Sequence, residues 1–117
     1  MRKTPWILVG LLFLSAPCIA ADWQQVGGQG MMKFVLIAKA KESHEATYRE
    51  AIRSLCGASG YCYISFWSDK NLLPKRLPMT DAQVDAQVAS YTRNPTTGYD
   101  ELLWSCRLRS DPKKCFS

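Results

Sequence analysis

Met31-Met32-Lys33-Phe34-Val35-Leu36-Ile37-Ala38 is the stretch on which the fold turns. Apolar residues fill both sides of this short run, and part of it is β-branched. Such a pattern predicts a buried central strand with cover on both faces rather than a helix.

Working toward the C-terminus, Ser43 is a good N-cap, and Tyr48, Ala51, Ile52, Leu55 and Cys56 recur at helical spacing. Glu45 and Arg49 form an i,i+4 pair on the solvent side, and Gly57 supplies the stop. Tyr61 to Trp67 then reads as a second strand. It alternates Cys62, Ile64 and Phe66 on one face with Tyr61, Tyr63, Ser65 and Trp67 on the other. A single helix between two strands of one sheet makes them a parallel pair.

Past the loop from Ser68 to Pro78, Thr80 and Gln83 spell a capping box, and Met79 and Val84 stand where a hydrophobic staple would form. Val84, Val88 and Tyr91, widened by Ala82, Ala86 and Ala89, continue an inward stripe. A second helix is therefore predicted as far as Asn94-Pro95. Thr96-Thr97-Gly98 makes a turn, and Tyr99 to Leu108 is a third strand with Leu102, Trp104, Cys106 and Leu108 on one face. The expected fold class is α/β: a small three-stranded β-α-β-α-β sheet in the order 2-1-3, with one helix on each face. An α+β sandwich with both helices on one face is the alternative.

Toward the N-terminus, residues 21–30 are polar and glycine-rich and read as a flexible segment, from which Trp23 to Val26 could add an edge strand. Residues 31–117 then form one small domain. Before it, Arg2 and Lys3 precede the apolar run Trp6 to Leu14, and small residues at Cys18 and Ala20 fit a cleavage site. Residues 1–20 are thus expected to be a signal peptide, since the run is shorter than the ~20 residues a spanning helix needs. No later segment of the sequence is long and apolar enough to span a bilayer. The expected location is periplasmic or secreted, with a lipid tether on Cys18 as the alternative. Loss of Arg2 and Lys3 lowers the formal charge from +5 to +3. An exported domain with so little excess charge is not a nucleic-acid binder.

Without Cys18, the cysteines are Cys56, Cys62, Cys106 and Cys115. An even number in an oxidising compartment predicts two disulfides. Three pairings exist, and sequence alone does not choose among them, although proximity favours Cys56–Cys62 and Cys106–Cys115. No metal is expected: Cys-x-x-Cys is absent and His44 is the single histidine. Five residues separate Cys56 from Cys62, which is not the spacing of a redox dithiol.

Catalytic residues and cofactors are not expected either. The chain has no G-x-S-x-G, P-loop or H-E-x-x-H. Gly27-Gly28-Gln29-Gly30 precedes a strand where a dinucleotide loop would follow one. Asp100 and Glu101 are adjacent on a strand and point to opposite faces. Two features are candidates for binding instead. One is the proline-stiffened basic loop carrying Lys70, Leu72, Leu73, Lys75 and Arg76, whose leucines are either exposed or tucked under the second helix. The other is the aromatic row Tyr61, Tyr63 and Trp67, set against the alternative that a helix covers it. The expectation is a small exported binding protein (inhibitor, immunity-type or envelope accessory factor) with another envelope or exported protein as partner. The alternatives are a structural or lipid-tethered envelope component and a hydrolase whose residues carry no motif.

Overall fold

The computed structural model describes residues 21–111 and 113–117. The expected signal peptide over 1–20, Cys18 included, lies outside the described residues. Ten short elements follow one another. Strand β1 (Trp23–Gln29) and strand β2 (Met32–Ile37) form a hairpin, and α1 (Glu45–Cys56) leads to β3 (Cys62–Trp67). A six-residue helix α2 (Asp81–Ala86), β4 (Ala89–Asn94), β5 (Tyr99–Ser105) and β6 (Cys115–Phe116) complete the chain, with single 3-10 turns at Lys39–Lys41 and Lys70–Leu72.

The class is mixed α/β with two helices, as expected, but the sheet has six strands rather than three, in the order β1-β2-β3-β4-β5-β6. The β2–β3 pair joined through α1 is parallel, as the crossover argument requires, and so is β5–β6. The other three pairings are antiparallel. The order 2-1-3 is corrected: β5 does not flank β2, because β4 and β3 lie between them.

The cause is a switch of period. Thr80 caps α2 with the full capping box to Gln83, yet the helix ends at Ala86, and Gln87 is already extended. From Ala89 onward the residues alternate: Ala89 and Tyr91 are buried, while Ser90 and Thr92 are half-buried on the other face. Val84, counted in the helical stripe, is 48% exposed and takes no part in the core. A stripe of Val84, Val88 and Tyr91 fits a 3.6 period, but alternation at the buried end outweighs it. The strand is then returned by a tight turn in which Asn94 Oδ1 accepts from the backbone N–H of Thr96 (3.0 Å) and Thr97 (3.3 Å).

In the N-terminal segment the edge strand offered by Trp23 to Val26 forms and runs on to Gln29, pairing antiparallel with β2 and shifting register between Gln25 and Gly27. Its Trp23 packs against the core. Gly30, at φ 62°, makes the tight turn into β2 that a residue with a β-carbon would resist.

One face of the sheet carries the main core. Val35, Ile37, Ile64, Phe66, Tyr91, Leu102 and Trp104 meet Tyr48, Ala51 and Ile52 of α1. Tyr48 is the centre: its ring packs edge-on against Phe66 (4.9 Å) and Trp104 (4.6 Å), and its hydroxyl donates to the Glu42 carbonyl at 2.7 Å. Disulfides Cys56–Cys62 and Cys106–Cys115 are the two local pairings. The first ties the end of α1 to the start of β3, and the second holds β6 beside β5. Arg93 of β4 adds a third clamp, donating to the carbonyls of Gly60 (2.7 Å), Cys56 (2.9 Å) and Gly57 (3.3 Å). These are the last carbonyls of α1 and its exit, which the helix itself leaves without partners.

Candidate binding surface

The other face of the sheet is assembled from a different set of residues. Strand alternation puts Met32, Phe34 and Leu36 of β2 there, beside Tyr63, Ser65 and Trp67 of β3. Cross-strand register continues the rows: Met32, Tyr63, Thr92 and Glu101 lie side by side, and so do Phe34, Ser65, Ser90 and Leu103.

Half of this face is covered. Trp67 is fully buried, packs edge-on against Phe34 (5.6 Å), and donates its indole N–H to the Gln83 carbonyl of α2 at 2.8 Å. Trp67 is therefore not a surface anchor; α2 lies over it. The loop between β3 and α2 crosses the same face and is tied down along its length. Asp69 accepts from the Asn71 N–H (2.9 Å), Gln83 Nε2 donates to the Leu73 carbonyl (3.2 Å), and the Leu77 N–H donates to Gln29 Oε1 of β1 (2.8 Å). Pro74 is buried, and Leu72, Leu73 and Leu77 are half-buried. The leucines thus lie against the body while Lys70, Lys75 and Arg76 stand in solvent.

Beyond the loop the face is open. Met32, Tyr63, Ser90, Thr92, Glu101 and Leu103 are each half-buried. At one end stand Tyr61, whose hydroxyl bonds that of Thr96 in the β4–β5 turn, and Tyr99, 43% exposed. Of the aromatic row, Tyr61 and Tyr63 are accessible and Trp67 is not. Sequence reasoning missed Tyr99, Met32 and Leu103 as members of this surface. The signal for Tyr99 was its place after the turn, opposite Asn94 in the β4–β5 register.

A charge network surrounds the start of α1. Glu42 is 3.2 Å from Lys39 and 3.6 Å from Arg107, and accepts from the Ser68 hydroxyl at 2.5 Å. Burial works against ionisation of Glu42, but the Ser68 hydrogen bond and the two cations outweigh it and hold the carboxyl below its usual range. Glu45 is lowered by Arg49 and Arg109, at 3.2 and 3.0 Å. The Arg109 guanidinium also lies 4.0 Å over the Trp104 ring. Burial raises the phenols of Tyr48 and Tyr91, the latter also through its hydrogen bond to Asp100, so both stay protonated at neutral pH. His44 stands at the N-cap of α1, its Nδ1 3.3 Å from Thr47 Oγ1. This network joins the C-terminal tail to α1. Its carboxylates are engaged by cations, and it builds a structural clamp.

No family model, curated protein or solved structure matches the chain. Among the described residues, no helix is long and apolar enough to cross a membrane.

Proposed function

We propose that this is a small exported binding protein without catalysis of its own, and that it grips another exported or envelope protein through the loop-covered side of its sheet. One observation supports the reading above the others. The two features singled out in the sequence, the basic loop and the tyrosines of β3, belong to the same face of the sheet. There a loop already held by four of its own hydrogen-bonding groups carries the exposed Lys70, Lys75 and Arg76, on the face whose half-buried row includes Tyr63. A pre-tied loop loses little entropy when a partner docks. Aromatic side chains beside a charged rim are the usual anchors of a protein interface. Two disulfides suit a domain of this size working in an oxidising compartment.

The test is affinity capture from periplasmic extract with three baits: wild type, Lys75→Glu/Arg76→Glu, and Tyr63→Asp. Partners held by wild type are expected to be lost with both variants. Recovery of the same partners at equal strength by both would show that this face is not the site.

A further inference from the structure

Two grooves run into each other along the loop. The first, about 440 Å3, opens beyond the carboxyl ends of the parallel strands β2 and β3, between Leu36–Lys39 and Ser68–Asn71. The second, about 580 Å3, lies between the loop and α2, with Leu73, Lys75, Arg76 and Pro78 in its walls. Asn71 belongs to both, so the two make one continuous track. Its sides carry four cations, Lys39, Lys70, Lys75 and Arg76, against a single carboxylate, Asp69. That carboxylate is occupied by the Asn71 N–H. Lys39 is paired with Glu42, but Lys70, Lys75 and Arg76 have no ion-pair partner among the described residues.

We infer that this track binds an extended acidic segment of a partner protein, one in which carboxylates alternate with apolar side chains. The inference rests on the binding role proposed above and names the chemistry of the partner. Uncompensated cations in a row select a row of anions and speed the encounter with them. The apolar components of the track, Leu36, Leu73 and Pro78, would be idle against an inorganic polyanion, which has no apolar surface to offer. A flat anionic membrane would touch the exposed cations but would not enter the concave grooves. A second copy of this chain does not fit. Its acidic residues are scattered, with Asp100-Glu101 the only adjacent pair, and Glu101 is already bound to Lys114 at 3.0 Å.

The experiment measures fluorescence anisotropy of labelled decapeptides added to the purified disulfide-bonded protein. One peptide alternates Glu and Leu, a second alternates Ser and Leu, and a third is all Glu. The Glu/Leu peptide should bind most tightly and weaken steadily as salt is raised. Lys75→Glu/Arg76→Glu should weaken it by roughly tenfold or more, with Lys70→Glu as a separate single-site reading. Lys113→Glu, on the tail, should leave it unchanged. Near-UV circular dichroism verifies that each variant keeps its tertiary packing. Absence of Glu/Leu binding, equal binding of the Ser/Leu peptide, or indifference to both loop variants overturns the inference. Equal binding of the all-Glu peptide, or displacement of the Glu/Leu peptide by equimolar tripolyphosphate, also overturns it, because the apolar part of the track would then contribute nothing. Should the capture experiment lose its partners with the loop variants while no acidic peptide binds, the docking face stands and only the acidic chemistry fails.

Discussion

The two faces of the sheet are closed in different ways. On the α1 face, a twelve-residue helix lays Tyr48, Ala51 and Ile52 onto a continuous apolar layer. On the other, a six-residue helix and a loop shelter Phe34 and Trp67, and leave the row from Met32 to Glu101 half-open. The first cover runs the width of the core; the second stops partway. The lesson is a division of labour within one sheet. Cohesion resides mainly where a long amphipathic helix buries apolar area, and the binding role proposed above falls to the side where cover runs out.

Substituting a buried tryptophan on the loop face tests this division most severely. Trp67→Ala is expected to cost about 3–5 kcal/mol in urea unfolding, as loss of a large core aromatic does. It should also raise amide exchange across residues 69–86, because the Gln83 carbonyl loses its indole partner. Tyr48→Ala should cost a similar amount while leaving exchange in that loop near its wild-type rate. Equal loosening of the loop by both would mean that the two faces are not separable.

Arg93→Met comes next in size. It removes a charged donor from three carbonyls at the end of α1, some of them exposed, and should cost about 1–2 kcal/mol. The loss should be read in fraying of the last turn of α1.

A smaller effect follows from acid. Glu42 and Glu45 have carboxyls held below the ordinary value of 4.5, so the folded state binds fewer protons there than the unfolded chain. Their contribution is full above that ordinary value and is lost as pH falls through the lowered folded one. Glu42→Gln/Glu45→Gln should therefore be less stable than wild type at neutral pH by about 1 kcal/mol, mostly from the sheltered Glu42, since solvent screens Glu45. The difference should shrink as pH drops below about 4. A gap that widens in acid would reverse the assignment.

Smallest of all is the expected effect of Lys75→Glu/Arg76→Glu on stability, within about 0.5 kcal/mol, because both side chains are exposed and unpaired among the described residues. A large loss in chemical denaturation would make the loop a structural strut instead of a docking element.

Much of the α1 face was legible in the sequence. The apolar run of β2, the heptad-like face of α1 and the alternation of β3 each carry a strong period, and together they require a parallel pair. Helix and strand periods compete between Val84 and Tyr91, and there local pattern was outvoted by pairing with β3, distant in sequence, and with β5 across a tight turn. Trp23–Gln29 was obscured by its own composition. Three glutamines and two glycines have poor strand propensity, and the segment is a strand because β2 offers it an edge. In the site, the loop cations stand where a proline-stiffened basic loop should put them. The burial of Trp67 was undecidable from alternation, which assigns a face but not what covers it.

The six strands stand in space in the order in which they occur along the chain. Each new strand finds its neighbour already laid down, and each sulfur bridge closes over only 6 or 9 residues of sequence. A polypeptide built this way keeps loop-closure costs low and can assemble vectorially, from its first hairpin to its last short strand, without waiting for its far end. Such an order of assembly would suit the export proposed above, in which the chain arrives as a thread, amino end first.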